Sequence, residues 1–206
     1  MTARILKLTQ RPVDNNDGRV RTIDVYDLAA VELADYTGIL VEGGCDQRFL
    51  ATQQPQLDHW VESGGRLVAN GHPIQRWLAK MPAHRALDFH TPEELWLYPV
   101  GEHPIWRGVE RTELIFRTGV PGKHSLQELK RIGVAGFYAH AYLVDLPQGA
   151  QTITGIGPGQ LPVDVSWTQG DGEVVVHIGN DLSSFAIPQT TTAELAERVL
   201  TYLEGR

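Results

Sequence analysis

The segment Arg66–Pro73, with the sequence RLVANGHP, has the pattern of a strand that enters a sharp bend. Many α/β enzymes place their nucleophile at such a bend. Here the apolar run Leu67–Ala69 leads into Asn70, Gly71 and His72, and neither Ser nor Cys is present. An amide is not nucleophilic in the way a thiolate is, and glycine has no side chain, so no thioester can form at this position. The segment is therefore a site that has lost this chemistry or one that uses another.

His72 follows the bend and could transfer protons if a carboxylate lies beside it. We expect His72 to face the same crevice as Glu42, Asn70 and Asp181. The alternative is a structural histidine that caps or hydrogen-bonds local backbone, since a lone histidine is not a catalytic signature. The proline that follows suits the first turn of a helix and favours this structural interpretation.

Cys45 is the single cysteine, and it follows Glu42, Gly43 and Gly44 at the predicted end of a strand. Ligands of open α/β sheets bind beyond such strand ends. A helix that starts at Asp46 would lower the pKa of the thiol and make it reactive. The alternative is a small, partly buried loop residue, which is the common role of cysteine. The neighbouring carboxylate of Asp46 would also oppose a thiolate.

Asn180 and Asp181 end another predicted strand, and their side chains could bind a polyol or an amide through paired donors and acceptors. Both residue types are also ordinary in a turn that ends a strand.

The eight histidines include no pair four residues apart, and there is no HExxH or Cys-x-x-Cys motif. The sequence therefore predicts no metal and no cofactor, with His124 and His140 as the histidines to inspect first.

The composition describes an ordinary globular chain of 206 residues, with 42% hydrophobic and 21% charged residues, and predicts one domain over residues 1–206. A net charge of −7 argues against a nucleic-acid partner, which requires a basic surface. A single cysteine excludes an internal disulfide and fits a reducing compartment. No signal-like apolar segment and no membrane-spanning run is present, so we expect a cytoplasmic protein with no membrane partner.

Strands and helices are predicted to alternate in the first half of the chain. The predicted strands are Arg4–Leu8, Val20–Val25, Gly38–Val41 and Leu67–Ala69, and the predicted helices are Asp46–Ser63 and Ile74–Lys80. Such alternation predicts a parallel sheet with helices on its faces. The segment before the second strand is too short for a normal first helix.

The second half is richer in strands. Its clearest signal is a hairpin in which alternating residues from Val163 turn at Gly170-Asp171-Gly172 and return to Ile178. A closing helix is predicted from Thr192 to about Glu204, with a capping box at Thr191 and Glu194 and a buried face formed by Leu195, Val199, Tyr202 and Leu203. The predicted fold is α/β: a three-layer, flavodoxin-like parallel sheet with helices on both faces and additional β-hairpin structure in the second half.

The pattern DLAAVELADYTGILVEGG…LDHWVESGGRLVANGH resembles the class I glutamine amidotransferase-like superfamily. In that superfamily a strand ending in Gly-Gly is followed by a helix and by a strand that enters the nucleophile bend. Two later segments look more like the trehalose-utilisation (ThuA-like) branch. They are His103–Val109, HPIWRGV, and Gly172–Phe185, GEVVVHIGNDLSSF. Together these segments span about residues 30 to 185.

The resemblance implies a degenerate catalytic triad. Active members have a cysteine at the bend, where this chain has Asn70 and Gly71, and a His-x-Glu motif where it has Gly179, Asn180 and Asp181. Asparagine cannot act as a base near neutral pH. The Gly-Gly loop usually supplies backbone N–H groups to the site, and the first helix would be lost.

Three functions remain open from the sequence. The first is a relative without glutaminase activity that binds a small polar, sugar-like metabolite at the carboxyl ends of the strands. The second is a non-catalytic partner-binding or structural domain, including a homo-oligomer, because a fold can be kept for its surface. The third is a hydrolase with Cys45 as a relocated nucleophile, or an enzyme that uses His72 with a carboxylate. The sequence leaves open whether the protein is an enzyme.

Overall fold

The computed structural model describes residues 4–118 and 120–205. Its strands are β1 Ile5–Thr9, β2 Asp14–Asn16, β3 Val20–Asp24, β4 Gly38–Val41, β5 Arg66–Asn70, β6 Ala83–Ala86, β7 Leu97–Pro99, β8 Phe116–Arg117, β9 Gly136–Phe137, β10 Ala141–Val144, β11 Gln151–Ile156, β12 Leu161–Gln169 and β13 Gly172–His177. Its α-helices are α1 Gln47–Thr52, α2 Gln54–Glu62, α3 Leu126–Ile132 and α4 Leu195–Leu203. Short 3₁₀ helices cover Val25–Ala30, Leu33–Asp35, Pro92–Leu95, Pro104–Trp106, Arg111–Glu113 and Leu182–Phe185.

Nine of the described strands form one sheet, in the order β2-β3-β1-β4-β5-β13-β12-β11-β7. The five strands β3, β1, β4, β5 and β13 are parallel, and the other neighbours are antiparallel. Parallel strands covered on both faces are expected to be short apolar runs, and β4 is indeed buried along its whole length. The α/β class and the large central sheet predicted from the sequence are therefore confirmed.

β12 and β13 form the predicted hairpin. Its turn includes Gly170 at a φ of 62°, a conformation that glycine adopts without strain. The outer edge of β13 pairs in parallel with β5, so the hairpin adds the last strand of the parallel set. The register places Asp164 of β12 directly opposite His177 of β13. Among the described residues, β6 with β10 and β8 with β9 form two further small sheets.

The single helix predicted over Asp46–Ser63 is wrong, because the structure has two helices that break at Gln53. Pro55 lies in the first turn of α2. Proline has no N–H to donate to the preceding turn, so α1 cannot continue through it. Asp46 caps α1, since its carboxylate accepts hydrogen bonds from backbone N–H groups in the first turn of that helix.

The short helix predicted over Ile74–Lys80 is also wrong, since this segment consists of bends and turns. The side-chain oxygen of Gln47 accepts hydrogen bonds from the backbone N–H groups of Ile74 and Gln75, at 2.8 and 3.0 Å. These bonds hold the chain in an irregular path between β5 and β6.

The closing helix, α4, begins at Leu195 rather than Thr192. The predicted capping box is wrong, because the Thr191 hydroxyl donates to Glu113 at 2.6 Å and Glu194 receives no capping bond. The predicted buried face is confirmed and consists of Leu195, Val199, Tyr202 and Leu203. This face packs closely on β4, where a Cβ added to Gly38 would lie 2.5 Å from the Cβ of Leu203.

The connection between β1 and β3 contains no helix; it holds only β2, which pairs with β3. β3 then pairs in parallel with β1. This agrees with the expectation that the segment is too short for a helix. None of the described helices has the length and apolar content that crossing a bilayer would require.

Candidate functional site

The loops that follow β4, β5 and β13 meet at one edge of the sheet, because these three parallel strands are neighbours. They enclose a cavity of about 280 Å³, which we call the histidine cavity. Its lining residues are Gly43, Gly44, Gly71, His72, Phe137, Tyr138, Ala139, His140, Gly179, Asn180 and Asp181. Its position is the one at which open α/β sheets bind ligands.

The predicted crevice is in fact two cavities, which corrects the expectation that Glu42, Asn70, His72 and Asp181 face one space. Glu42 and Asn70 line a second cavity of about 260 Å³. His72 lines only the histidine cavity, whereas Asp181 borders both. Asp181 is the lining residue that the two cavities have in common.

Asn70 acts as a structural connector. Its Nδ2 donates to the carbonyl of Val41 at 3.1 Å, and its Oδ1 accepts from the N–H of Leu182 at 3.1 Å. The side chain is only 7% exposed, so both polar atoms are used within the protein. These bonds tie the end of β5 to the end of β4 and to the loop after β13.

Gly71 makes the bend so tight that no side chain fits there. Its φ is +94°, which L-residues rarely adopt. A Cβ added to Gly71 would lie 2.7 Å from the Cα of Gly43. We call Gly43, Asn70 and Gly71 the joint. At the joint two strand ends touch through backbone, and a nucleophilic side chain at position 71 has no space.

Asp181 accepts a hydrogen bond from the N–H of Gly43, so this backbone donor of the Gly-Gly loop is not free to bind a ligand. Its Oδ1 accepts the N–H of Gly43 at 2.8 Å. Among the described residues, no partner hydrogen-bonds its Oδ2 and no cationic nitrogen pairs with it. Asn180 is exposed, and its Nδ2 lies 3.5 Å from the carbonyl of Phe137, which is a weak contact.

Glu42 is held by cations on the side of the second cavity. Its carboxylate lies 2.7 Å from Lys7 Nζ and 3.7 Å from the guanidinium of Arg11. Partial burial favours a higher pKa for Glu42, but the hydrogen bond from Lys7 and the two positive charges outweigh it and lower the pKa. Glu42 is therefore an ionised, paired carboxylate rather than a partner for His72.

His72 lies within a group of three histidines, His72, His84 and His140, which we call the histidine group. Its ring centroid is 5.0 Å from that of His140 and 5.3 Å from that of His84. His84 is fixed in turn by a 3.0 Å contact from its Nδ1 to the carbonyl of Pro73. The Nε2 atom of His72 is buried and has no hydrogen-bond partner among the described residues.

Burial is the main cause that lowers the pKa of His72, and the neighbouring His140, His84 and His177 lower it further. The imidazole therefore stays neutral near pH 7, where Nε2 can accept or donate one hydrogen bond. No described carboxylate is paired with His72, so the expected His72–carboxylate pair is wrong. His84 is a member of the group that sequence reasoning missed, because its proximity depends on the β6–β10 pairing.

A buried His–carboxylate pair lies beneath the cavity instead. Nδ1 of His177 is 2.7 Å from Oδ1 of Asp164, and both side chains are fully buried. Tyr138 donates its hydroxyl to Oδ2 of Asp164 at 2.8 Å and accepts from Nε1 of Trp106 at 2.9 Å. With an ionised carboxylate, Nδ1 of His177 must donate, which leaves Nε2 as an acceptor that has no described partner.

The buried pair lies near a positive charge. Arg111 is 5% exposed, and its Nε donates to the Thr154 hydroxyl at 3.0 Å. Burial lowers the pKa of Arg111, and the Asp164 carboxylate opposes that shift. Burial and the Asp164 charge also raise the pKa of Tyr138 well above its usual value. Sequence reasoning missed this network, although the hairpin register already places Asp164 opposite His177.

Cys45 is not an activated thiol. It is 6% exposed, and its Sγ lies 3.3 Å from the carbonyl of Leu8. Burial, followed by the charge of Glu42, raises its pKa to about 12. The expected lowering by the helix that follows is wrong, because burial and the neighbouring carboxylate charges disfavour the thiolate.

No three His, Cys, Asp or Glu side chains in the described part of the chain are grouped so that they could hold a metal ion. His124, one of the two histidines singled out for inspection, lies away from the histidine cavity and contacts the carbonyl of Val120 at 3.1 Å. His140 belongs to the histidine group.

Comparisons with known proteins give likenesses in structure only. No family model and no curated protein matches the sequence. A cytoplasmic protein from Salmonella typhimurium is similar with a TM-score of 0.57 and 12% identity, over 97% of this chain and 98% of the other. A second, from strain LT2, has a TM-score of 0.51 and 12% identity, over 96% and 95%.

A cold-adapted β-galactosidase from Rahnella sp. R3 is also similar, with a TM-score of 0.53 and 12% identity. The likeness covers 98% of this chain but only 31% of the galactosidase, so this chain spans about a third of that enzyme's length. These likenesses establish the fold. At such low identity they transfer no activity, because one fold supports many functions.

Proposed function

We propose that the protein is an amidotransferase-like domain without glutaminase activity that binds a small polar, sugar-like metabolite in the histidine cavity. The observation that carries the proposal is a cavity at the strand ends where one carboxylate oxygen of Asp181 has no partner among the described residues, beside a buried Nε2 atom of His72 that also has none. Buried polar groups are normally hydrogen-bonded, so groups left over beside a cavity favour a ligand.

The joint supports the absence of glutaminase activity. Gly71 has neither a side chain nor space for one. The N–H of Gly43, which could otherwise stabilise an oxyanion, already donates to Asp181. The nucleophile and one backbone donor of the family reaction are therefore both missing.

We also infer a flavodoxin-like, three-layer arrangement within the amidotransferase-like superfamily. Numbered by their order in the chain, the parallel strands are arranged 2-1-3-4-5, as in flavodoxin-like sheets. The helices α2 and α4 contact different strand positions: α4 packs at Gly38, and α2 packs at Gly65 and Gly172.

A cytoplasmic location is consistent with the single cysteine and with two neighbours described as cytoplasmic. We expect no nucleic-acid or membrane partner.

A partner-binding domain is the second candidate. It is favoured by a groove of about 260 Å³ beside Trp96, which is 39% exposed and lies near Ile115, Phe116 and Ile187. Exposed apolar surface of this kind is common where proteins associate. Sedimentation of the wild type and of Trp96→Ser tests it, because a stable oligomer that the substitution dissociates would support association.

Ligand binding is tested by thermal-shift screening of sugars, amino sugars, polyols and their phosphates, followed by calorimetry. Gly44→Phe is the blocking variant, since Gly44 lines the cavity and a Cβ there meets no atom within 4 Å. Gly159→Phe is the control, because that glycine is exposed, lies outside the cavity and tolerates a Cβ. Binding that Gly44→Phe abolishes and Gly159→Phe leaves intact supports the proposal; glutamine hydrolysis by the wild type would contradict it.

A further inference from the structure

The side chains that line the histidine cavity include one carboxylate and no permanently cationic group. Among its lining residues, only Asp181 carries a fixed charge at neutral pH, and no Lys or Arg lines the space. Lys7, which lines the second cavity, and Arg11 are both paired with Glu42. An anionic ligand would therefore meet a carboxylate and no counter-charge. Sites that bind phosphates or carboxylates normally supply Arg or Lys.

One hydrogen bond fixes the side chain of Asp181 and uses only one of its two carboxylate oxygens. The bond from Gly43 fixes one carboxylate oxygen, and the other has no partner among the described residues. A carboxylate that is already oriented loses little conformational freedom when it binds a cation, so more of the interaction contributes to affinity. Since Asp181 borders the cavity, a positively charged group inside the cavity can reach this oxygen.

His72 does not supply the missing positive charge at neutral pH. Burial and the neighbouring rings favour the neutral form of His72. Protonation would also place like charges on rings whose centroids are only 5.0 to 5.3 Å apart. His72 therefore contributes a neutral ring to the cavity wall.

The raised pKa of Cys45 gives separate support for a negative electrostatic potential near the cavity. Cys45 lies in the loop that forms one wall of the cavity, and the charges of Glu42, Asp181 and Asp24 add to burial in raising the pKa of its thiol. The same carboxylates that oppose a thiolate at Cys45 would oppose an anion bound a few residues away.

We infer that the histidine cavity selects a small ligand with a positively charged amino group, which pairs with Asp181, and that it rejects phosphorylated compounds. This inference rests on the proposed ligand-binding function and names the charge class of that ligand. A hydrogen-bonded charge pair in a partly buried site gives a preference of about tenfold or more over the matching hydroxyl compound.

Calorimetry with two matched probe series tests the inference. The first series is glycerol, 2-amino-1,3-propanediol and glycerol 2-phosphate, and the second is glucose, glucosamine and glucose 6-phosphate. Each is measured with the wild type, with Asp181→Asn and with Asp171→Asn. Asp181→Asn removes the charge but keeps an oxygen for the N–H of Gly43. Asp171→Asn changes the net charge equally at an exposed hairpin turn.

We expect the amino compound of at least one series to bind about tenfold more tightly than its hydroxyl counterpart, and the phosphate not to bind. Asp181→Asn should abolish that preference and Asp171→Asn should keep it. A preference for the neutral or phosphorylated probe, or a preference that survives Asp181→Asn, overturns the charge assignment while leaving ligand binding intact. If neither the probes nor the screened metabolites bind in a way that Gly44→Phe abolishes, the proposed function itself fails, and the inference fails with it.

Discussion

The joint and the histidine group lie next to each other in the chain, since Gly71 belongs to one and His72 to the other. In the joint every polar side-chain atom of Asn70 bonds backbone, and two glycines let the strand ends touch. In the histidine group a buried ring nitrogen of His72 has no described partner. The joint therefore maintains the fold, whereas the unused hydrogen-bonding capacity lies one residue further along. At this edge of the sheet, the atoms left without partners indicate a site better than the position of the bend does.

The largest effect is expected at Cys45, which is buried in the loop that follows Gly43 of the joint. With a pKa of about 12, against about 8.5 for a free cysteine, the thiolate fraction at pH 8 falls by roughly a thousandfold. Alkylation by iodoacetamide should therefore be at least about a thousandfold slower in the native protein than in urea. Native alkylation at the unfolded rate would reopen the relocated-nucleophile hypothesis.

Gly71→Ala should destabilise the joint strongly. The substitution adds left-handed backbone strain and a contact 2.7 Å from the Cα of Gly43, and together these cost about 3 kcal/mol or more. Gly64→Ala is the control, because Gly64 has a φ of +107° but open space around its Cβ, and strain alone costs about 1 kcal/mol. Equal losses of unfolding free energy in urea would show that the joint is not tightly packed.

Asn70→Ala should cost about 2 kcal/mol of unfolding free energy, because it leaves the Val41 carbonyl and the Leu182 N–H without partners in a buried place. Asn180→Ala, at an exposed position with one long contact, should change stability by no more than about 0.5 kcal/mol. The reverse order in urea titrations would contradict the division between a structural joint and a free cavity wall.

The sequence allowed the sheet to be predicted better than the site, for a physical reason. Strand burial and the hairpin follow from local alternation, so β4 and the Gly170 turn could be recognised from neighbouring residues. The two cavities depend on side chains that meet across the fold. Lys7 of β1 pairs with Glu42, and the side chain of Asn70 bonds backbone groups of Val41 and Leu182. Such pairings need the strand order, which the sequence indicates only in outline.

The errors in helix prediction have the same origin. The loop after the bend was predicted to be a helix, with Pro73 in its first turn, but the side chain of Gln47 bonds the N–H groups of Ile74 and Gln75. The break between α1 and α2 was visible in the sequence as Pro55. The pairing of Asp164 with His177 could have been found by reading the predicted hairpin register across to its far end.

The smallest expected effect is a pH dependence that comes from the histidine group. Because burial lowers the pKa of folded His72, the unfolded chain, with a histidine pKa of about 6.5, takes up its proton at a higher pH than the folded chain. Stability should therefore be complete above about pH 6.5 and should fall as the pH drops towards the folded pKa. His72→Gln should flatten this part of the curve, whereas His90→Gln, at an exposed position, should not. Urea unfolding at closely spaced pH values from 7.5 to 5.5 measures the difference. If the slopes of the two variants are the same, His72 titrates normally in the folded protein and the neutral wall of the cavity loses its support.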